Sequence, residues 1–475
     1  MSDHLPNLRL IGNFGLLAGG EALSKVFGLA AFAYLARALG PGQFGELEFA
    51  LALIVFFTLL VDCGLSSTGA REIARDSEAV GSITVNILVL RCVLALLALG
   101  SVTLLLSVLE KPAYQERLIF LFGLTLLPLP GLLAWVFQGR DLMQCVAYAS
   151  MLRWSIFACG VFILVQGPDQ IWRVPVVEGI AILAAVFFYF RSFVKHFGPF
   201  RKEIDFARMR SLFGQAVPIG ASELVWALKV YFATVLLGIS VGGEEVGWFA
   251  GAHRIVVALH TFVWLYFFNL LPSLARSKNE NPVVLGSLIE SSLQVAGWAS
   301  VFMMLLGFSL GTEIITLIYG HNFREAAPIF QVLMGLIPLA LMSGHFRYTL
   351  IAHNRQRLEF FSAAVGGAVN VALNLILNPV FGSFGAAWAI VASEAAILGI
   401  SYYFVRTAIM PIPFWINLWR PSIAGALLAA FFWFFPPVSI WITGLSAVVL
   451  YCGILAVMRP RIFADVRSML VSMAK

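Results

Sequence analysis

The sequence carries very little charge for its length. Charged residues make up 12% of the 475 residues, and 60% are apolar, whereas a soluble globular protein is about half apolar and a quarter charged. With a mean hydropathy of +0.90, the chain has too little polar surface to cover an exterior that faces water. The composition therefore excludes an ordinary soluble protein and indicates one that uses lipid as part of its solvent.

Signatures of other protein classes are also scarce. The five cysteines lie in apolar stretches without a CxxC pair, and the seven histidines show no HExxH or other ligand spacing. We therefore predict no disulfide framework, no metal site and no cofactor. The net charge of +6 is spread over short connections between apolar runs. That distribution indicates membrane topology and not a nucleic-acid partner.

The sequence does contain a long series of apolar segments. Each is about as long as, or longer than, the roughly 20 residues that an α-helix needs to cross a bilayer, so the predicted fold class is an all-α membrane protein. We predict fourteen transmembrane helices, over residues 9–38, 44–70, 80–108, 117–137, 142–166, 173–194, 211–240, 245–273, 284–319, 326–352, 358–379, 383–406, 418–435 and 438–458.

The connections between these segments alternate in charge. Every second connection is rich in arginine and lysine, above all 191–210, whereas the connections between them hold few cations. Basic connections stay on the cytoplasmic side of a membrane. An even number of spans places both ends on one side, so we predict that the N-terminus and the C-terminus are both cytoplasmic.

The two halves of the chain show a faint internal repeat. Four residues of the first half recur 202 positions later with the same identity, namely Gly12, Glu21, Gly45 and Ala50 as Gly214, Glu223, Gly247 and Ala252. Six predicted helices separate the copies, so both point the same way through the membrane. This arrangement predicts a parallel repeat about an axis along the membrane normal.

Three motifs resemble those of a known family. They are the first hairpin Tyr34-Leu-Ala-Arg-Ala-Leu-Gly-Pro-Gly-Gln-Phe-Gly45, the segment Asp62-Cys-Gly-Leu65 that leads to Arg71-Glu-Ile-Ala-Arg75, and the turn Ile318-Tyr-Gly-His-Asn-Phe-Arg-Glu-Ala-Ala-Pro328. In the order of these motifs and in the number of predicted spans, the chain resembles the oligosaccharide flippases of the polysaccharide-transporter (Wzx) branch. This branch belongs to the multidrug/oligosaccharidyl-lipid/polysaccharide exporter superfamily.

The resemblance implies both a fold and a function. The expected fold has a lobe of six helices in residues 1–197, a second in 198–410, and two added helices with a cytoplasmic tail in 411–475. The implied substrate is an undecaprenyl-diphosphate-linked oligosaccharide, moved from the inner to the outer leaflet of the bacterial inner membrane. Its product would feed O-antigen or exopolysaccharide synthesis, with membrane lipid, a polysaccharide polymerase and glycosyltransferases as partners. Alternating access through a central cavity is the implied mechanism.

Five of the cations within the predicted spans are candidates for a substrate site because they lie away from the ends of the spans. A charge at the centre of a bilayer is costly, so such side chains tend to face protein or water. One interpretation is a cationic lumen that binds the diphosphate, since arginine can bind phosphate bidentately and lysine acts as a point charge. The other is that these side chains form ion pairs between helices. The candidates are Lys25, Lys229, Arg254, Arg91 and Arg153.

Two buried acids occupy matching positions in the repeat. Glu21 and Glu223 are candidates for coupling transport to a proton or a sodium ion. The alternative is that they are partners of nearby cations: Glu21 and Lys25 are four residues apart and share one face of a helix.

Other functions were weighed against transport. A polyprenyl-linked glycosyltransferase or polymerase needs a sizeable extramembrane segment with catalytic carboxylates or bases, but no connection exceeds roughly 20 residues. We therefore predict that the chain is not an enzyme and has no catalytic residue. Drug antiporters of the same superfamily usually have twelve spans. A flippase for lipid II, which also has fourteen, stays open as an alternative.

Overall fold

The apolar segments form helices because a backbone in lipid must satisfy its own hydrogen bonds. The computed structural model describes residues 5–200, 204–277, 282–435 and 440–458, without the side chains of 5–22, 277, 282–284, 416, 417, 433 and 440. Within those ranges every long element is helical. The helices are α1 (Leu5–Asp62), α2 (Leu65–Arg75), α3 (Val80–Leu109), α4 (Ala113–Leu124), α5 (Ala134–Gly139), α6 (Met143–Leu164), α7 (Arg173–Phe197), α8 (Phe206–Ser240), α9 (Gly243–Ser277), α10 (Pro282–Ser309), α11 (Gly311–Tyr319), α12 (Ala326–Met334), α13 (Leu336–Ala352), α14 (Gln356–Ala408), α15 (Phe414–Phe434) and α16 (Ile440–Met458).

The helices account for fourteen crossings. In the described residues eleven helical segments are long and apolar enough to span a membrane, and two of them are 53 residues long. A straight helix of that length would measure about 80 Å, against a hydrocarbon core of about 30 Å. Each is broken by a glycine with positive φ, Gly40 (φ 72°) in α1 and Gly382 (φ 55°) in α14, so each supplies two crossings. With the shorter apolar helix in α15, the total is fourteen, and the predicted all-α membrane fold is confirmed.

Several crossings are assembled from two shorter helices. The predicted span 117–137 consists of α4, a 3₁₀ turn at Leu129–Gly131 and α5, because Pro128 and Pro130 cannot donate backbone hydrogen bonds. The predicted span 284–319 divides into α10 and α11. Its last helix ends at Tyr319, and Gly320 follows with φ 90°, at the turn that the sequence predicts.

The chain folds into two compact units, Met1–Gly247 and Trp248–Lys475, here called unit 1 and unit 2. Helix α8 belongs to unit 1. Its glycine Gly238 packs against the Phe49 ring, and Asp205, which precedes it, hydrogen bonds through its backbone N–H to Asn86 Oδ1 at 2.8 Å. The predicted lobe boundaries, after residues 197 and 410, follow the sequence repeat and not the packing, and they stay a prediction.

The internal repeat produces a reciprocal contact within unit 1. A Cβ at Gly45 would overlap the Gly243 carbonyl oxygen, and a Cβ at Gly247 would overlap the Pro41 carbonyl oxygen. Positions 243 and 247 correspond to positions 41 and 45 in the repeat, because each pair is 202 residues apart. Position 45 of the first copy therefore contacts the second copy's equivalent of position 41, and position 41 contacts the equivalent of position 45. Such a self-complementary contact is typical of two elements related by a two-fold axis, and it supports the parallel repeat.

Connections predicted on one side of the membrane lie together in unit 1. On the predicted inner side Arg208 Nη1 donates to Ser82 Oγ at 2.9 Å. On the predicted outer side Lys111 Nζ donates to the Gly238 carbonyl oxygen at 2.7 Å. These contacts agree with the alternation of connections along the chain. Which side faces the cytoplasm stays a prediction from charge.

Candidate transport site

A buried arginine in unit 1 forms an ion pair that joins two helices. Arg91 on α3 lies 3.2 Å from Asp62 Oδ1 at the end of α1, and Arg91 is only 6% exposed. Ser66 Oγ donates to the same carboxylate at 2.5 Å. Removing Asp62 would leave the buried Arg91 guanidinium without its carboxylate, and such a loss typically costs about 3–5 kcal/mol. Arg91, one of the five predicted lumen cations, is therefore held by a carboxylate.

A close backbone contact brings a second acid towards this pair. A Cβ at Gly64 would lie 2.5 Å from the Ala216 carbonyl oxygen, and one at Gly220 would lie 2.7 Å from the Cys63 carbonyl carbon. The start of α2 thus packs directly on α8, one turn before Glu223. Glu223 lies close enough to Asp62 for the two carboxylates to interact electrostatically. The predicted coupling residue Glu223 therefore adjoins the Asp62–Arg91 pair.

A second ion pair in unit 1 joins α6 and α7. Arg153 on α6 donates to Glu178 Oε1 on α7, and both side chains are half-buried. The Arg153 guanidinium also lies 5.9 Å from the centre of the Trp154 ring. Two of the five predicted cations, Arg91 and Arg153, thus take part in ion pairs between helices, which is the second of the two interpretations that the sequence left open.

The other predicted site residues differ in their surroundings. Lys25 on α1 is exposed, and Lys229 on α8 and Arg254 on α9 are half-buried. Lys25 and Lys229 belong to unit 1, whereas Arg254 belongs to unit 2. The side chain of Glu21 lies outside the described residues, so its proposed pairing with Lys25 stays a prediction.

Unit 2 contains a buried polar stripe that the sequence analysis missed. Asn370, Asn374 and Asn378 follow one another at intervals of four residues along α14, and all three are fully buried. Asn370 Nδ2 donates to Ser393 Oγ at 3.3 Å, and Asn374 Nδ2 to the Asn370 carbonyl oxygen at 2.8 Å. Asn374 Oδ1 and both amide atoms of Asn378 have no hydrogen-bond partner. The sequence does contain a signal for this stripe: asparagine recurs every four residues in an apolar span, which places three amides on one face of a helix.

Unit 2 contains two further polar contacts between α13 and α14. Ser343 Oγ on α13 donates at 2.6 Å to Glu394 Oε1, and Glu394 is 2% exposed. Nearer the end of α13, Arg347 Nη2 and Nε lie 2.6 and 3.0 Å from Glu359 Oε1. Polar groups inside a membrane bundle are costly and usually functional. The asparagine stripe and the Ser343–Glu394 pair are at least as well buried within the protein as Arg91 in unit 1.

These features define a class of protein. Fourteen crossings, a repeated half and charged or amide side chains inside the helical units are the architecture of a polytopic membrane transporter. The family described as "Polysaccharide biosynthesis protein" matches residues 10–278, which is more than half of the chain. The chain belongs to this family, and its resemblance to polysaccharide transporters is confirmed.

Comparison with individual proteins agrees with this assignment. The chain is 23% identical over 412 residues to "Putative O-antigen transporter" of Escherichia coli (strain K12), covering 84% of this chain and 97% of that protein. Among solved structures it is similar to the lipid II flippase MurJ in an inward closed conformation, with a TM-score of 0.77, 13% identity, and coverage of 94% and 99%. An inward-facing multidrug resistance MATE transporter has a TM-score of 0.64 at 14% identity, with coverage of 84% and 95%. These relatives are transporters, so the prediction that the chain is not an enzyme is confirmed.

Proposed function

We propose that this protein flips an undecaprenyl-diphosphate-linked oligosaccharide from the inner to the outer leaflet of the bacterial inner membrane. The lipid-linked glycan then enters O-antigen or exopolysaccharide synthesis, beside the glycosyltransferases that build it and the polymerase that extends it. Transport proceeds by alternating access of two lobes, with both termini on the cytoplasmic side. Family membership and the O-antigen transporter relative support this assignment.

One observation carries the proposal, the exposed lysine within the first span. Lys25 lies 15 residues before the break at Gly40, which is about 22 Å along a helix and hence inside a hydrocarbon core about 30 Å thick. Its side chain is exposed in the structure. An ammonium group at this depth is very unfavourable against lipid, and this cost supports a water-filled space around Lys25 in our proposal. A cation in such a space suits a substrate with an anionic diphosphate.

The five predicted cations then divide by role. Lys25, Lys229 and Arg254 stay candidates for substrate binding. Arg91 and Arg153 act indirectly, because each is paired with a carboxylate and holds two helices at a fixed spacing. Cations spread over separate helices suit a ligand that must also leave, since multiple weak contacts bind without trapping.

A proton or sodium ion supplies the driving force in this proposal. In unit 1 the candidate is Glu223, whose carboxylate interacts with that of Asp62; Glu21 is its counterpart in the repeat. In unit 2, the Ser343–Glu394 hydrogen bond and the amide oxygens of Asn374 and Asn378 offer further polar groups at membrane depth.

The experiment uses purified protein in vesicles that contain a fluorescent undecaprenyl-diphosphate oligosaccharide. We expect Lys25→Ala to lower the flipping rate at least tenfold and Lys25→Arg to retain most of it. The matched control is Lys195→Ala, because Lys195 is also exposed but lies in the last turn of α7. Full flipping by Lys25→Ala would refute the cationic-lumen assignment. Repeating the assay with and without a proton or a sodium gradient, in wild type and Glu223→Gln, tests coupling.

The same vesicles separate the alternative functions. Faster flipping of lipid II than of the oligosaccharide lipid would identify a lipid II flippase. Uptake of cationic drugs without flipping of either lipid would identify a multidrug antiporter. Glycosyl transfer to a lipid acceptor would identify a polyprenyl-linked enzyme and overturn the proposal.

A further inference from the structure

A small cavity lies at the predicted outer end of unit 1. Three connections meet there: the break in α1, the link between α3 and α4, and the link between α8 and α9. The cavity has a volume of about 420 Å³, and its lining residues are Leu39, Gly40, Pro41, Gly42, Gln43, Glu46, Tyr114, Gly243 and Glu244. That volume is at the lower end of the range for small-molecule sites, on the order of 300–1,000 Å³. It suits one or two sugar rings.

The lining of this outer cavity is opposite in charge to the proposed lumen. Of the nine lining residues, all within the described part of the chain, two carry carboxylates and none carries a cationic group. Glu46 and Glu244 would repel a diphosphate. Carboxylates accept hydrogen bonds strongly, so a ligand rich in hydroxyl groups would be favoured. The cavity therefore selects for the glycan and against the phosphate part of the substrate.

The carboxylate of Glu46 is held in place by its surroundings. Glu46 is 9% exposed, and Gln115 Nε2 donates a hydrogen bond to its Oε2 atom. Lys111 attracts the same carboxylate while donating to the Gly238 carbonyl oxygen. The other oxygen, Oε1, lies beside Gly243: a Cβ there would come within 2.8 Å of it. A side chain at position 243 would press on this oxygen, so glycine is needed here for Glu46 to keep its place in the cavity lining.

An aromatic ring lies at the opening of the cavity. Tyr114 is 52% exposed, and its hydroxyl lies 3.4 Å from Gln115 Nε2. A tyrosine ring offers an apolar face with negative charge density and a hydroxyl that can hydrogen bond. The C–H groups on one face of a sugar ring match such a surface. An aromatic face, two carboxylates and a floor of glycine backbone together form a suitable site for a pyranose ring.

We propose that this outer cavity is a glycan-binding site, in which Tyr114 stacks on a sugar ring and Glu46 and Glu244 accept its hydroxyl groups. This inference rests on the proposed function, because it gives the transported oligosaccharide a second contact apart from its diphosphate. Binding of the glycan here would hold the sugar end at the predicted outer side while the diphosphate is still bound to cations deeper in the lumen.

The test measures binding of free glycan, without lipid or phosphate. The full-length protein in nanodiscs is mixed with oligosaccharides released by mild acid hydrolysis from the surface polysaccharide of the cells that carry this gene. Saturation-transfer NMR then detects sugar protons in contact with the protein. We expect signals with wild type and with Tyr114→Phe, and a loss of at least fivefold with Tyr114→Ala and with Glu244→Gln.

Two matched controls are available in the chain. Tyr148 has the same exposure as Tyr114 but lies on α6 away from the cavity, so Tyr148→Ala should keep the signal. Glu245 is next to Glu244 but does not line the cavity, so Glu245→Gln should keep it as well. Thermal unfolding of each variant separates loss of binding from loss of folding.

The outcomes separate the two proposals. No sugar signal with wild type, or equal signals with Tyr114→Ala, Glu244→Gln and the controls, overturns the glycan site. If the same preparation flips the lipid-linked oligosaccharide in vesicles, the proposed function stands despite that result. If it flips no lipid-linked oligosaccharide, the proposed function fails, whatever the sugar signal.

Discussion

Gly45→Ala should strongly destabilise unit 1. The added methyl group would overlap the Gly243 carbonyl oxygen and lie 2.7 Å from the Gly247 amide nitrogen. Both neighbours are backbone atoms, so no side chain can rotate away, and the hairpin must separate from the α8–α9 connection. Overpacking of this kind costs about 1–3 kcal/mol or more. The gain in helix propensity on replacing glycine by alanine, about 0.5–1 kcal/mol, is smaller.

The reciprocal contact makes the prediction sharper. Gly247→Ala would drive a methyl group into the Pro41 carbonyl oxygen, which is the same clash seen from the other copy of the repeat. We therefore expect Gly247→Ala to lose a free energy of unfolding similar to that lost by Gly45→Ala. A large loss for one and none for the other would contradict the two-fold relationship.

The assay is equilibrium unfolding of the purified protein in mixed micelles, titrated with a denaturing detergent and followed by tryptophan fluorescence. Gly100→Ala is the control, because Gly100 lies within α3 and a Cβ there would meet nothing within 4 Å. It should be neutral or stabilising by about 0.5–1 kcal/mol. Equal stability of Gly45→Ala and Gly100→Ala would refute the close contact.

The remaining predictions concern buried polar groups and use the same unfolding assay. Asp62→Leu should cost about 3–5 kcal/mol because it leaves the buried Arg91 guanidinium without its carboxylate, and the double variant Asp62→Leu/Arg91→Leu should recover most of that loss; no recovery would refute the pairing as the cause. Asn378→Leu removes an amide without hydrogen bonds and should raise stability by about 1–3 kcal/mol while lowering flipping in vesicles. Asn370→Leu is its control, because Asn370 is hydrogen bonded, and this variant should lose stability; the opposite order would refute our account of the stripe.

Much of the fold could be predicted from local signals. Apolar length determines the crossings, and the Gly40-Pro41-Gly42 turn determines where the first hairpin reverses, because glycine tolerates positive φ and proline ends helices. The break within α14 has the same cause, because Pro379 precedes Gly382, which has positive φ. Of the four identities that predicted the repeat, the pair Gly45 and Gly247 has a structural reason, because both glycines let two backbones touch.

The roles of individual charges could not be predicted in the same way. Helices α3 and α6 are apolar on all sides, so their sequences do not indicate which way Arg91 or Arg153 faces. Their partners, Asp62 and Glu178, lie on other helices, 29 and 25 residues away in the sequence. Pairing across helices depends on rotation and tilt, which the apolar pattern does not specify.

An arginine in an ion pair and an exposed lysine differ in the partner that each must give up to bind a phosphate. A guanidinium that releases a buried carboxylate to bind a phosphate must leave that carboxylate uncompensated, at a cost of several kcal/mol, so Arg91 would have to gain at least as much from the substrate. In the proposed transport cycle, the exposed Lys25 would exchange water for phosphate, and both states would keep its charge solvated or paired. A transporter that must bind and release its substrate on every cycle therefore gains more from cations such as Lys25. In this proposal Arg91 is a positioning residue, because its ion pair with Asp62 joins α3 to the end of α1.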